Sequence, residues 1–185
     1  MLPIFAESYH DLKKINKVLE DLLKAAPFSD KDIAPKGILE HVRAACNRLF
    51  VAGFAAEVEK VYTGMETVIT KILKYTDKTV PEGQSSHQRL IEIASLNISG
   101  TRPALCSEKT SENLHKLRLF RHKIRHTYEI DLDSTIVKDM IVTSKNAYTG
   151  LVQDIIKFQK AIEPDVNPAH LKEATTGLLD HGREH

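Results

Sequence analysis

Cysteine is nearly absent: Cys46 and Cys106 stand far apart, with no CxxC or Cys/His spacing. That excludes a disulfide framework and a structural zinc site, and it suits two reduced thiols in the cytoplasm. Net charge is also lacking, at +1 over 185 residues, so no global field draws in polyanions and any positive potential must be local. No apolar run approaches the ~18 residues of a membrane span, and the start, Met1-Leu2-Pro3-Ile4-Phe5-Ala6-Glu7, has no basic leader. A soluble, unexported, cytoplasmic chain with no membrane association is expected. Period-two runs of β-branched residues, Gly-rich phosphate loops, HExxH and Ser/His/Asp patterns are missing as well. The fold class is therefore all-α, and most familiar enzyme motifs drop out.

What is present is helical periodicity. With 42% hydrophobic residues, the chain can bury one substantial core and is short for two. Leu12, Ile15, Val18, Leu19, Leu22 and Leu23 recur at helical intervals between Phe5 and Leu23, and Pro27 with Ser29-Asp30 closes this first helix. After Pro35-Lys36-Gly37 a periodic segment runs from about Ile38 to Tyr75, through Leu39, Val42, Leu49, Phe50, Phe54, Val58, Val61, Met65, Val68, Ile69 and Ile72. It is either one long helix or two joined at a kink. Gly53 and Gly64 mark either bends or close approach of another backbone, since each costs ~1 kcal/mol relative to Ala.

Pro81-Glu82-Gly83 makes a polar connection before a third helix over His87–Ile98. Ser99-Gly100-Thr101-Arg102-Pro103 then breaks the pattern. Ser107, Thr110, Ser111 and Glu112 offer several N-caps for a helix to about Tyr128, and a last helix follows Asp133-Ser134 through Phe158. The helical domain spans 1–162. Residues 163–185 form a polar tail anchored only by Leu171, Leu178 and Leu179, expected to be partly disordered or weakly docked.

Charge is concentrated on the fourth helix. No carboxylate lies between Asn113 and Tyr128, while His115, Lys116, Arg118, Arg121, His122, Lys123, Arg125 and His126 all do. At ~100° per residue Leu114, Leu117, Phe120, Ile124 and Tyr128 share one arc, and the cations sweep away from its edge. By itself such a face marks an acid-paired or solvated surface more often than an active site. The combination Arg121-x4-His126-x-Tyr128 adds chemistry. A guanidinium fits a phosphate oxygen, and an imidazole takes the proton of a ribose 2′-hydroxyl or gives one to a leaving 5′ oxygen, with no metal needed. Arg118, His122 and Arg125 would support RNA binding. Arg121 and His126 fall ~140° apart on an ideal helix, so they converge only if the helix loosens or a second copy contributes. A two-fold dimer with a composite cleft is expected.

Arg121-His122-Lys123-Ile124-Arg125-His126-Thr127-Tyr128 resembles the motif of the HEPN superfamily, and more narrowly that of HepT-like ribonuclease toxins. Other segments resemble the family in the same order: Val61-Tyr62-Thr63-Gly64-Met65-Glu66, Arg102-Pro103-Ala104-Leu105, Ser107-Glu108-Lys109-Thr110 and Asp131-Leu132-Asp133. The resemblance covers roughly Leu39 to Phe158. One departure is Ser86, where the family carries a tryptophan before His87.

The resemblance implies an antiparallel helical bundle, a homodimer with facing Arg121 and His126 motifs, and metal-independent RNA cleavage with no cofactor bound by this chain. It also implies a minimal nucleotidyltransferase antitoxin (MNT) that uses ATP and magnesium to transfer AMP to Tyr128. Adenylylation there would add negative charge and bulk where an RNA phosphate must sit. Two other readings stand beside this one. One is a non-catalytic HEPN module that binds RNA or nucleotide or docks a protein. The other is a structural bundle whose basic face pairs with acids from its own tail.

Overall fold

The computed structural model describes residues 1–26, 40–83, 85–126 and 132–179; of His126 it describes the backbone alone. Six helices follow one another: α1 (Pro3–Ala25), α2 (Glu40–Asp77), α3 (Ser86–Ala94), α4 (Glu108–His126), α5 (Ser134–Ile162) and α6 (Pro168–Thr175). Among the described residues there is no strand, only an isolated bridge between Ile98 and Arg102. No described helix is long and apolar enough to cross a membrane.

α1 begins with proline in its first turn, where the missing N–H costs nothing. It buries Phe5, Tyr9, Leu12, Ile15, Leu19 and Leu22, the stripe read from periodicity. α2 is one continuous helix of 38 residues, about 57 Å at 1.5 Å per residue. The two run antiparallel. Lys71 pairs with Asp11 at 2.6 Å, Ile15 meets Gly64, and Leu22 and Ala25 face Phe50 and Phe54 across a groove. A Cβ on Gly64 would lie 2.7 Å from Ile15 Cγ1, so Gly64 is a close-packing site against a side chain rather than a bend. Gly53 has nothing within 4 Å of such an atom.

The buried stripe of α2 starts at Phe54 and continues to Leu73. Val42 and Leu49, which share its periodicity, are exposed at 37% and 74%. The cause is that α1 ends at Ala25, beside Leu49 and Phe50, and leaves the first turns of α2 without that neighbour.

α5 closes the core with Ile141, Tyr148, Leu151, Val152, Ile155 and Phe158. Its start is capped by Asp133, which accepts from Thr135 N at 2.8 Å. Two buried tyrosines tie it to α1: Tyr148 Oη donates to Leu12 O, and Tyr9 Oη to Gln159 Oε1. α6 is capped by Asn167 and lays Leu171 against α1, with Leu178 buried beyond it. Asn16 on α1 donates to Gly177 O.

α3 stops at Ala94, short of the expected Ile98. The Ala94 carbonyl instead receives Leu105 N at 2.8 Å and Cys106 N at 2.9 Å, so a loop, not another helical turn, satisfies it. That loop is held by Arg102, whose side chain is fully buried. Its Nε donates to Asp77 Oδ1 at 2.6 Å and its Nη2 to Asp77 Oδ2 at 2.8 Å. The remaining N–H groups reach the carbonyls of Ile93, Leu96 and Pro103. All five guanidinium donors are thus used, and the loop before α4 is clamped to the end of α2.

Asp154 of α5 then fixes the first turn of α4. It accepts from Ser107 N, Ser107 Oγ and Thr110 Oγ1 at 2.7–2.8 Å. Of the possible caps, Ser107 takes the role, receiving Thr110 N at 3.4 Å. Gly150 lets α4 and α5 meet here, since a Cβ on it would lie 2.5 Å from Thr110 Oγ1.

Candidate active site

α4 buries Leu114, Leu117 and Phe120, with Ile124 packed at the core's edge, as the arc predicts. That orientation turns Arg118, Arg121 and Arg125 toward α2 and the start of α3. Arg121 is 14% exposed, a deep setting for a cation. Its Nε lies 3.5 Å from Glu59 Oε1, an ion pair without a hydrogen bond. Arg125, more than half exposed, donates its Nε to the same Glu59 oxygen at 2.5 Å. Arg118 is half-buried, and its Nε has no hydrogen-bond partner among the described residues.

His122 and Lys123 are exposed. His115, also in the basic window, is pushed below its usual value by burial and by the Arg118 cation, which favours its neutral form and removes it from the positive field. The backbone is helical through His126, so the expected ~140° offset from Arg121 stands. The side chain of His126 and all of Tyr128 lie outside the described residues.

The charged face is therefore partly acid-paired, through Glu59 of α2. At Glu59 two guanidiniums share one carboxylate.

Arg121 also meets His87, on the first turn of α3. Arg121 Nη1 lies 3.3 Å from His87 Nε2, and His87 Nδ1 lies 2.8 Å from Glu66 Oε1. The same oxygen receives the buried hydroxyl of Tyr62 at 2.6 Å. Because a guanidinium only donates, Nε2 must offer its lone pair and Nδ1 carries the hydrogen toward Glu66. Burial and the Glu66 charge hold the Tyr62 phenol far above its usual value, so it stays a hydrogen-bond donor.

These side chains border a groove of ≈ 330 Å³. Arg121, His87 and Glu66 line it together with Thr63, Thr67, Thr70 and Lys71, giving it cations and hydroxyls. Among the described residues no cluster of three or more His, Cys, Asp and Glu side chains is placed to hold a metal ion.

A family model described as HepT-like protein matches residues 53–162, more than half of the chain. The chain belongs to the HepT-like family. No curated protein and no solved structure matches it. The matched stretch of this HepT-like chain holds Glu59, Glu66, His87 and Arg121, and so the whole groove network.

Glu59, Glu66 and His87 escaped the reading of the sequence. Glu66 carried a faint signal, being a carboxylate on the apolar stripe of Tyr62, Met65 and Ile69, where a charge needs a partner. Glu59 and His87 carried none, because their partners lie 66 and 34 residues away.

Proposed function

We propose that this HepT-like chain is a metal-independent ribonuclease, acting in the cytoplasm as the toxin of a toxin–antitoxin pair. One observation carries the reading: Arg121, 14% exposed, stands at the lip of a groove lined by threonine hydroxyls, and it shares the Glu59 carboxylate with Arg125. At Glu59 two guanidiniums compete for one carboxylate, so Arg121 can turn to the negative charge of a phosphodiester.

Arg121 holds a phosphate oxygen and stabilises charge developing on phosphorus. The 2′ oxygen attacks, the bond to the 5′ oxygen breaks, and the ends are a 2′,3′-cyclic phosphate and a 5′-hydroxyl. His126 moves a proton in this step, supplied across a homodimer seam because one continuous helix does not bring it to Arg121. Arg118, His122 and Arg125 contact the RNA backbone. An MNT antitoxin, with its own ATP and magnesium, transfers AMP to Tyr128 and blocks the phosphate's place.

The test is cleavage of RNA by the purified chain, without its antitoxin and with a chelator present. Arg121→Ala and His126→Ala should each lose about 10²–10⁴-fold in rate while remaining folded; His126→Ala cutting at the parent rate refutes the reading. Co-expression with the antitoxin should add the mass of AMP, and Tyr128→Phe should abolish the gain. The ion pair at Glu59 favours a second reading, in which Arg121 is held structurally within a binding or docking module. RNA retained without any cleavage product supports that one.

A further inference from the structure

His87 has the setting of a proton-transfer group rather than of a surface histidine. One ring nitrogen is tied to a buried carboxylate, which is itself fixed by a buried phenol. The other, carrying the lone pair, touches the guanidinium that lines the groove. An imidazole whose tautomer is set by an acid on one side and whose basic nitrogen faces the reacting centre is the arrangement that nucleophile activation requires. At 44% exposure the ring is open to the groove, whereas Glu66, at 8%, is nearly buried at its wall.

We propose, resting on the ribonuclease reading above, that His87 Nε2 accepts the ribose 2′-hydroxyl proton and that Glu66 is the positioning residue behind it. In the resting chain Nε2 occupies an N–H of Arg121. A phosphate oxygen that takes over this donor frees the Nε2 lone pair to accept from the neighbouring ribose 2′-hydroxyl. The 2′-hydroxyl proton passes to Nε2, the new bond forms between the 2′ oxygen and phosphorus, and the bond from phosphorus to the 5′ oxygen breaks. The 5′ oxygen takes a proton from the imidazolium of His126. His87 ends one proton richer and His126 one poorer, and both reset against solvent. The two histidines then divide base and acid between them, and the base comes from the same protomer as Arg121.

The experiment measures steady-state RNA cleavage by the full chain and its variants. His87→Asn keeps a donor for Glu66, because its amide nitrogen overlays Nδ1, but removes the basic nitrogen. It should leave the melting temperature in place and lower kcat about 10²–10⁴-fold with KM little changed. His87→Ala should fall as far and recover part of its rate when free imidazole is added, which a structural role would not allow. Glu66→Gln should lose less, and nothing further in the double variant with His87→Ala. Parent-like cleavage by His87→Asn, or no response of His87→Ala to imidazole, overturns the proposal while Arg121-dependent cleavage keeps the ribonuclease reading intact. A parent chain that cuts no RNA overturns both.

Discussion

Replacing Arg102 by methionine should unfold the chain far more readily than its distance from the groove suggests. The side chain is wholly buried, and its five N–H groups serve both oxygens of Asp77 and three loop carbonyls. Methionine fills much of the volume but leaves a carboxylate, 12% exposed, with Thr76 Oγ1 as its remaining donor, and takes a donor from each of three carbonyls, of which Ile93 O keeps Leu96 N. Breaking a buried pair from one side costs about 3–5 kcal/mol. At 2–4 °C per kcal/mol for a chain of this size, the melting temperature should fall by about 6–20 °C. Arg102→Lys should recover only part, since its three donors cannot reproduce the planar fork.

The loss should also depend on pH. Arg102 holds Asp77 below its ordinary carboxylate value. A depressed folded value means that the contribution is present above the unfolded value and lost as pH falls through the folded one. The gap between parent and Arg102→Met should therefore be full at neutral pH and narrow in acid. Thermal unfolding followed by circular dichroism at pH 7 and at falling pH measures both. A gap under about 1 kcal/mol at pH 7, well short of the cost of a broken buried pair, would show that the clamp is ornamental.

Two glycines of α2 and α5 should respond oppositely to alanine. Gly150→Ala drives a methyl into Thr110 Oγ1, strains its bond to Asp154 and should cost about 1–3 kcal/mol. Gly53→Ala meets nothing within 4 Å and should gain about 0.5–1 kcal/mol by helix propensity; equal denaturation midpoints for the two would contradict this packing. Glu59→Gln removes the carboxylate shared by Arg121 and Arg125. RNA binding should tighten at low salt and its salt dependence steepen by about 0.7 per added phosphate contact, and a filter-binding salt series that superimposes on the parent's would rule this out.

Much of the architecture was legible because local signals and tertiary packing agree. α1, α2, α4 and α5 follow apolar spacing, and α5 starts at its capping Asp133; Pro27, Ile38 and Tyr128, the expected bounds of α1, α2 and α4, lie outside the described residues. The failures come where a neighbour decides. Leu96 and Ile98 prolong the spacing of α3, yet Ala94 O is taken by the loop that Arg102 clamps. Val42 and Leu49 prolong the spacing of α2, yet both are exposed, because Ala25 at the end of α1 reaches only as far as Leu49 and Phe50. In the site, Arg121 stood out because no carboxylate lies near it in sequence, and for the same reason Glu59 on another helix could not be foreseen. The Glu66–His87 pair joins two helices across a polar connection, and no periodicity records it.

The stretch shared with the family, 53–162, leaves out α1, yet α1 supplies Phe5, Leu12 and Leu19 at zero exposure and receives the hydroxyl of Tyr148 on its backbone. Cut back to that stretch, α2 and α5 would bare a furrow about 34 Å long, the length of a helix of 23 residues. A shortened relative could keep its shape only by borrowing a helix, from a second copy of itself or from another polypeptide.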